Sequence, residues 1–477
     1  MVTQQGPAGA RNRRSGRKLA EQVALQIEDD IRAAGWPLGM NLGSENDLLA
    51  RYGASRAVVR EAVGLCEYLG VARMRRGPGG GLIVTEPDPS AVVTAVVVYL
   101  AFRQVRLEDI LELRRPLEDT AARLAAERAT RSDIERLRER VEIERSSTRW
   151  DPWVFYDLVA AASGNPVLDL FVQILTRVTV QYRGMAKVAP RGAAVYTDLA
   201  AAHTRILAGI EAGDPEQASR RMMRHMDALS AFFSSRQLDR RLSLGDGMAR
   251  SVGQKLAASI ARRLFTDIVD RGWPVGELLG SEPDLIRRYD VSRAVLREAN
   301  RLLEFHRVLR TQRGVGGGVF ISAPDEEATT DALAVYLESR SVTAQQLFEV
   351  REAIEVASVE LAATRLDKAA IGVLTEALAD EMGSPATSIG TSAHALHLRI
   401  AELTGNPAML LLLHALTRLT EHHVVHPDEG FPMSYEEAAA AVGRAHARIV
   451  TAIAAGDAEA AKRRMLRHLR AVPTLLN

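Results

Sequence analysis

Residues 55–84 read SRAVVREAVGLCEYLGVARMRRGPGGGLIV, and residues 292–321 read SRAVLREANRLLEFHRVLRTQRGVGGGVFI. Each stretch opens on a serine whose hydroxyl can accept a bond from an unpaired amide at a helix N-terminus. Arginines follow at the first and fifth helical positions, Arg56 and Arg60 in one copy, Arg293 and Arg297 in the other. That spacing sets both guanidinium groups on one exposed face. The other face carries Val59, Ala62, Leu65 and Cys66, or Leu296, Ala299, Leu302 and Leu303, and is predicted to pack inward. A short strand, a basic glycine-rich tip and a second strand come next. The order predicts a recognition helix followed by a two-strand β-wing.

Outward from these stretches the repetition continues. Trp36-Pro37 recurs as Trp273-Pro274 and Gly77 as Gly314, both offset by 237 residues. Gly164-Asn165-Pro166 recurs as Gly405-Asn406-Pro407, and His203 and His225 recur as His446 and His468, at offsets of 241 and 243. A period this long marks duplication of a whole two-domain unit rather than a solenoid. The expected layout is a disordered tail at 1–15, a winged helix-turn-helix domain at 16–86 and a helical domain at 90–238. A polar linker at 239–251 leads to the second winged domain at 252–323 and the second helical domain at 325–477.

Composition agrees with a helical chain. Of its 477 residues 47% are hydrophobic but only 5% aromatic, which favours Ala-, Leu- and Val-packed helices over sandwiches. The single cysteine, Cys66, excludes an intramolecular disulfide and a cysteine zinc cluster, and fits a reducing, cytoplasmic setting. No apolar signal segment opens the chain. The longest apolar run, Ala91 to Phe102, is too short to span a bilayer. Net charge is +1, yet residues 11–81 carry +4 and residues 249–321 carry +5, leaving −8 elsewhere. Two basic modules on acidic bodies suit two phosphate-facing surfaces.

Upstream of the arginine helix, Leu19 to Ala34 shows helical apolar spacing and stops at Gly35-Trp36-Pro37. Ser44 then opens a short helix, with Glu45 in a first turn favourable to the dipole. Gly53 supplies the turn, and in the second copy Asp290 replaces it; Asp tolerates the left-handed conformation better than most residues. Helix, helix, tight turn, helix and wing is the winged helix-turn-helix order.

These runs, S-E-x-D-L, then R-Y-[GD]-x-S-R-A-V-x-R-E-A, then R-G-x-G-G-G, are similar to the DNA-binding domain of GntR-type bacterial transcription regulators. The remainder resembles the helical sensor (FCD) domain of the FadR subgroup. Its marks are L-E-L-R-R-P-L-E from Leu111, F-E-V-R-E-A-I-E from Phe348, the two Gly-Asn-Pro turns and a histidine-bearing tail. The resemblance covers nearly the whole chain, twice. It implies a mainly α protein: two tandem units, each a winged helix-turn-helix domain followed by an antiparallel all-α ligand-binding bundle. Helices are expected at Asp109–Thr130, Ser132–Ser146, Pro166–Val188, Ala194–Ala212 and Pro215–Leu238, where apolar stripes run.

By resemblance, Ser55, Arg56, Ala57 and Arg60 would contact DNA, with Ser292, Arg293, Ala294 and Arg297 in the second copy. An Arg fork pairs with O6 and N7 of guanine, while a serine or amide holds phosphate. Wing residues Arg75, Arg76, Gly77 and Gly79, with Arg313, Gly314 and Gly316, would approach the adjoining groove; glycine lets the backbone come close. Relatives often carry an arginine after the S-E of the preceding helix, where this chain has Asn46 and Pro283, so one contact per copy is missing.

The family's sensor pocket often holds a divalent metal through one Asp and three His. In the second unit the matching positions are Ala393, His397, His446 and His468; three imidazoles and a water or ligand carboxylate make a zinc-like site. In the first unit they are Pro152, Tyr156, His203 and His225, with Asp151 one residue out of register, a poor metal site. Arg114 and Arg351 match the arginine that faces the pocket in relatives and pairs with an anionic effector, a small carboxylate or fatty acyl compound. Glu118 and Glu355, four residues on, offer a plain helix salt bridge instead. His394, His414, His422, His423 and His426 match no motif and are expected at the surface or in loops.

The expected function is therefore an effector-modulated transcription regulator, a repressor, bound to double-stranded operator DNA and not an enzyme. One chain with two modules acts either as a covalent pseudo-dimer or as half of a homodimer. The rival readings are an architectural DNA-binding protein with a vestigial sensor and a metal-dependent hydrolase.

Overall fold

The computed structural model describes residues 19–476 except 78, 88, 147–150, 152, 183–192, 236–240, 245–254, 313, 315, 386–388 and 424–433. In the first head, α1 (Leu19–Ala33), α2 (Glu45–Tyr52) and α3 (Arg56–Leu69) precede a hairpin of β1 (Ala72–Arg75) and β2 (Gly81–Val84). Ser44 starts α2 through a reciprocal capping box with Asp47, and Gly53 ends it in the left-handed region at φ 59°. Ser55 caps α3 by accepting from the Val58 amide. On the inner face Val59, Ala62 and Cys66 are fully buried, whereas Leu65 is only partly covered. Burial also pushes the Cys66 thiol well above its usual range, consistent with an inert core residue.

A connector, α4 (Pro89–Phe102), leaves the head. The apolar run that defines it is buried on nearly all sides, from Ala91 to Ala101 apart from Ala95. A helix apolar all round has no stripe, so periodicity does not announce it. The first body follows: α5 (Leu107–Arg128), α6 (Arg131–Ser146), α7 (Val154–Ala162), α8 (Pro166–Gln181), α9 (Ala193–Glu211) and α10 (Pro215–Ser234). The helix expected to run from Pro166 to Val188 ends at Gln181. Tyr182 is extended there, its hydroxyl bonded to the Val105 carbonyl at 2.9 Å.

The second head contains α11 (Lys255–Asp270), β3 (Leu278–Gly280), α12 (Glu282–Tyr289), α13 (Arg293–Phe305), β4 (Leu309–Gln312) and β5 (Gly318–Ile321). Its wing is a three-stranded sheet of order β3-β5-β4 rather than the expected two strands, because Leu278 and Gly280 pair with Phe320 and Val319. In the first head the same segment makes one isolated bridge, Asn41 to Ile83. Asp290 adopts φ 52°, so the turn survives without glycine. The connector α14 (Glu326–Ser339) leads to α15 (Ala344–Arg365), α16 (Lys368–Gly383), α17 (Ile389–Leu403), α18 (Pro407–His423), α19 (Tyr435–Ala454) and α20 (Ala458–Leu476).

The units pack on one another with reciprocal contacts. Arg128 Nη2 lies 2.6 Å from Glu349 Oε1, and Arg365 meets Glu112 in the same way. Asn165 donates to the Gln346 carbonyl at 2.9 Å and to Glu349 at 3.0 Å; Asn406 donates to the Asp109 carbonyl at 2.8 Å and to Glu112 at 3.3 Å. The Gly-Asn-Pro turns thereby acquire a physical reason. Each asparagine accepts from two amides of its own helix while its amide group crosses to the other unit. Connectors α4 and α14 pack side by side. Heads also lean across: Val335 of α14 joins the core of the first head, and Phe102 of α4 packs edge-on against Trp273 of the second, with ring centroids 5.5 Å apart.

Candidate DNA-reading helices and buried histidine clusters

Ser55 and Ser292 place the first turns of α3 and α13, and the arginines emerge from them into solvent. Arg56 and Arg60 stand with Nε 3.6 and 3.0 Å from one oxygen of Glu45. Arg293 and Arg297 repeat this at 3.5 and 2.9 Å from Glu282. All four guanidinium-bearing chains keep more than 60% of their surface exposed. Pairs so exposed add little stability; what they do is hold two forks side by side. Arg56 also reaches Asn46 at 3.4 Å. Ala57 and Ala294 are exposed beside the arginines.

At the first wing, Arg75 donates to the Gly79 carbonyl at 3.1 Å, and Arg76 and Gly77 are exposed. Gly77 and Gly79 have φ of 101° and 70°, and Gly314 and Gly316 of 99° and 75°, which side chains rarely adopt. Arg313 lies outside the described residues.

In the second body, α17, α19 and α20 bring His397, His446 and His468 together. The Nε2 atoms of His397 and His468 each lie 3.0 Å from that of His446. Carboxylates hold the opposite ring nitrogens: Glu355 Oε2 is 2.5 Å from His397 Nδ1, and Glu381 Oε1 is 2.7 Å from His446 Nδ1. A neutral imidazole that gives its Nδ1 proton to a carboxylate presents a lone pair at Nε2. Such lone pairs on His397 and His446, 3.0 Å apart, repel unless a proton or a cation lies between them, and nitrogens on a tetrahedral zinc would stand about 3.3 Å apart. The carboxylate–histidine pairs match the outer shell that such a metal requires. Burial drives the His468 pKa down to about 2 and lowers that of His397, against the pull of Glu355. Burial would raise the Glu355 carboxyl, but Arg351 and His397 hold it well below the usual range. Arg351 Nε donates to Glu355 at 2.8 Å and its Nη1 sits 3.4 Å from His394. Its Nη2 bonds no group among the described residues.

The first body carries the same framework with a different filling. The Tyr156 hydroxyl, in the place of His397, is 2.6 Å from His225 Nε2. His203 Nδ1 is 2.6 Å from Glu144 and its ring stacks on Phe155 with centroids 4.0 Å apart. Arg114 spends Nε and Nη2 on Glu118 Oε1 at 3.1 and 2.7 Å and Nη1 on Thr179 at 3.3 Å. The Trp153 and Tyr156 rings lie against its guanidinium. Burial lowers His203 to about 3 and His225 well below its usual value, and raises Glu144 to about 7 despite Arg140. Arg114, Glu144, Tyr156, His203 and His225 are all buried. This cluster does not fit a metal, since a phenol occupies the point where the third nitrogen would be.

Several of these roles escape a reading by motif. Glu45 reads as a helix-dipole residue and proves to gather both arginines. Glu144 and Glu381 sit 237 residues apart, so the repeat itself carried the signal for them. His394 and His414 lie half-buried on helices α17 and α18 rather than in loops. His394 stands beside Arg351, and His414 Nδ1 lies 2.5 Å from Glu326, which also accepts from Tyr99 of the other connector. His422 and His423 have side chains outside the described set, as does His426 as a whole.

Comparison with known proteins places this arrangement. The family of bacterial regulatory proteins named gntR matches residues 19–81 and 256–319, and the FCD domain matches residues 109–228 and 346–471. A protein of Escherichia coli K12 described as an L-lactate dehydrogenase operon regulator is 30% identical, over 44% of this chain and 84% of its own length. The transcriptional repressor NanR of Cronobacter sakazakii is 24% identical over 45% of this chain and 85% of its own. The solved structure of Streptococcus agalactiae GntR is 24% identical and covers 46% of this chain and 99% of its own, with a TM-score of 0.36. Each likeness takes up less than half of this chain and most of the relative. The chain belongs to the gntR family of bacterial regulatory proteins, with its DNA-binding and FCD domains each present twice.

Proposed function

We propose that this chain is a transcriptional repressor in which one polypeptide supplies both halves of a two-fold DNA-binding regulator. The observation that carries the reading is the exchange symmetry of the contacts: Arg128–Glu349 with Arg365–Glu112, and Asn165 with Asn406. A two-fold arrangement of heads suits an operator with two half-sites. In each head Arg56 and Arg60, or Arg293 and Arg297, read base edges. Ser55, Ala57, Ser292 and Ala294 face the phosphates and neighbouring bases. The wing residues Arg75, Arg76, Gly77, Gly79, Arg313, Gly314 and Gly316 follow the backbone. Repression is suggested by the described role of the NanR relative.

The effector would enter the second body. His397, His446 and His468 would hold a zinc-like divalent cation, which supplies a positive anchor for a carboxylate oxygen. Arg351, whose Nη2 bonds no group among the described residues, would take another oxygen of the same anionic effector. The first body would act as a closed structural half, Arg114, Tyr156, His203 and His225 serving as its packed filling rather than as an effector pocket. An anion bound in one body alters DNA affinity only if it favours one placement of the heads. A hydrolase reading is weaker, because the two carboxylates beside the cluster, Glu355 and Glu381, lie against histidine nitrogens rather than towards its open side.

The test is a DNA selection with the intact chain, followed by footprinting with and without small carboxylates. The reading expects an inverted-repeat site and release by an anion, and loss of that release in His446→Ala. Selection of DNA without base preference would favour the architectural alternative.

A further inference from the structure

We propose that the two heads read unlike half-sites. The first takes an A·T-rich flank through its wing, and the second holds the phosphate wall through a longer row of arginines. The chain therefore sits on its operator in one orientation. This inference rests on the two-half-site reading above and adds the residues that make the sites differ.

The shared part is the arginine pair of α3 and α13, gathered in each head by one glutamate. One turn further the heads diverge: position 64 is glycine, and position 301, its counterpart 237 residues on, is arginine. Arg293, Arg297 and Arg301 form one row along α13, each step advancing about 6 Å and turning about 40°. Arg301 is 81% exposed, with Glu298 of its own helix 3.5 Å away. Two steps, about 12 Å, match the width of the major groove, so with Arg293 at the base edges Arg301 reaches the phosphates of the wall. On α3, a side chain at position 64 would meet nothing within 4 Å. Packing inside the chain does not ask for glycine there, and in mid-helix glycine is unfavourable. Its effect is a bare face that lets α3 lie closer to DNA.

The wings differ in the opposite sense. Arg73, Arg75 and Arg76 all stand exposed on the first, and Arg75 reaches the tip, donating to the Gly79 carbonyl at 3.1 Å. On the second, Gln312 replaces Arg75. Arg310, the counterpart of Arg73, is drawn back along the sheet: it lies over the Phe320 ring at 4.7 Å and donates to Gln312 at 3.3 Å. The first wing has Ile83 in place of that ring. A narrow A·T minor groove carries an enhanced negative potential that attracts arginine. A tip with two neighbouring arginines gains from it, and a tip with a neutral glutamine gains less.

The test is titration of the intact chain, by fluorescence anisotropy, on three duplexes that share the selected inverted repeat and carry no, one or two A·T flanks. One flank should raise affinity about fivefold, and the second should add no more than about twofold, the gain from a second available orientation. Gln312→Arg should make the second flank count as much as the first, and Arg75→Gln should remove the first gain. If Arg75→Gln disturbs its wing, Gln312→Arg decides. Arg301→Gly should reduce the salt slope by about one and leave the flank preference as it was. Equal gains from both flanks, or no gain from either, would overturn the inference while leaving the inverted repeat in place. Absence of any inverted repeat would end the two-half-site reading and this inference with it.

Discussion

Arg128 of the first body and Glu349 of the second meet at 2.6 Å, and Asn165 donates to the same carboxylate. Glu349 is 16% exposed on its side chain, so removing it takes an acceptor from Arg128, Asn165 and Gln345 in a largely covered place. Glu349→Ala is expected to cost about 1–3 kcal/mol in urea unfolding of the full chain. Glu112→Ala should do the same by exchange symmetry. Halves made by cleavage within 239–251 should still co-elute yet bind operator more weakly, because tethering raises effective concentration.

Glu45 and Glu282 each gather two arginines. Glu45→Ala should release both forks of the first head. Specific affinity is expected to fall roughly three- to tenfold, while binding to unrelated DNA rises and its salt dependence steepens, as an uncompensated charge would produce. Gel-shift titrations at several salt concentrations measure this. Unchanged discrimination would show that the carboxylates are idle.

Metal content separates the two bodies. The protein prepared with excess zinc and desalted should carry one ion per chain by native mass spectrometry, and none in His446→Ala. Tyr156→His should restore a third imidazole beside His203 and His225 and raise the count towards two. A wild-type count of two would contradict the closed first body.

The second head should weaken in acid more than the first. Burial holds His306 at about 3 in the folded chain, whereas an unfolded histidine titrates near 6.5. Between those values the unfolded chain holds a proton that the folded chain lacks, so stability is full above about pH 6.5 and falls with the pH. The loss would reach about 2 kcal/mol at pH 5. Position 69, its counterpart, is leucine, so His306→Leu should remove this part of the acid sensitivity in paired urea melts at pH 7 and pH 5.

The heads were legible because caps, turn residues and arginine spacing are local. Ser44, Gly53 and Ser55 act within a few residues of themselves, and the structure uses each as a cap or a turn. The connector at Pro89–Phe102 was legible only as an apolar run, since burial on all sides erases the stripe. The partners of the histidines were out of reach for another reason. Glu381 and His446 are 65 residues apart and meet only when α16 packs on α19. The salt-bridge alternative for Arg114 and Arg351 could be read, because i, i+4 pairing is local; both bonds are present.

The central claim is that one chain presents two heads to one operator. The direct measurement is the mass of the complex formed on DNA selected by the intact protein, taken by light scattering with Arg56→Ala/Arg60→Ala and Arg293→Ala/Arg297→Ala as paired variants. The account predicts a single 52.0 kDa chain per duplex, an inverted-repeat site, and a loss of at least a hundredfold in affinity from either pair alone. Two chains on each duplex, or full affinity when one pair of arginines is gone, would contradict it.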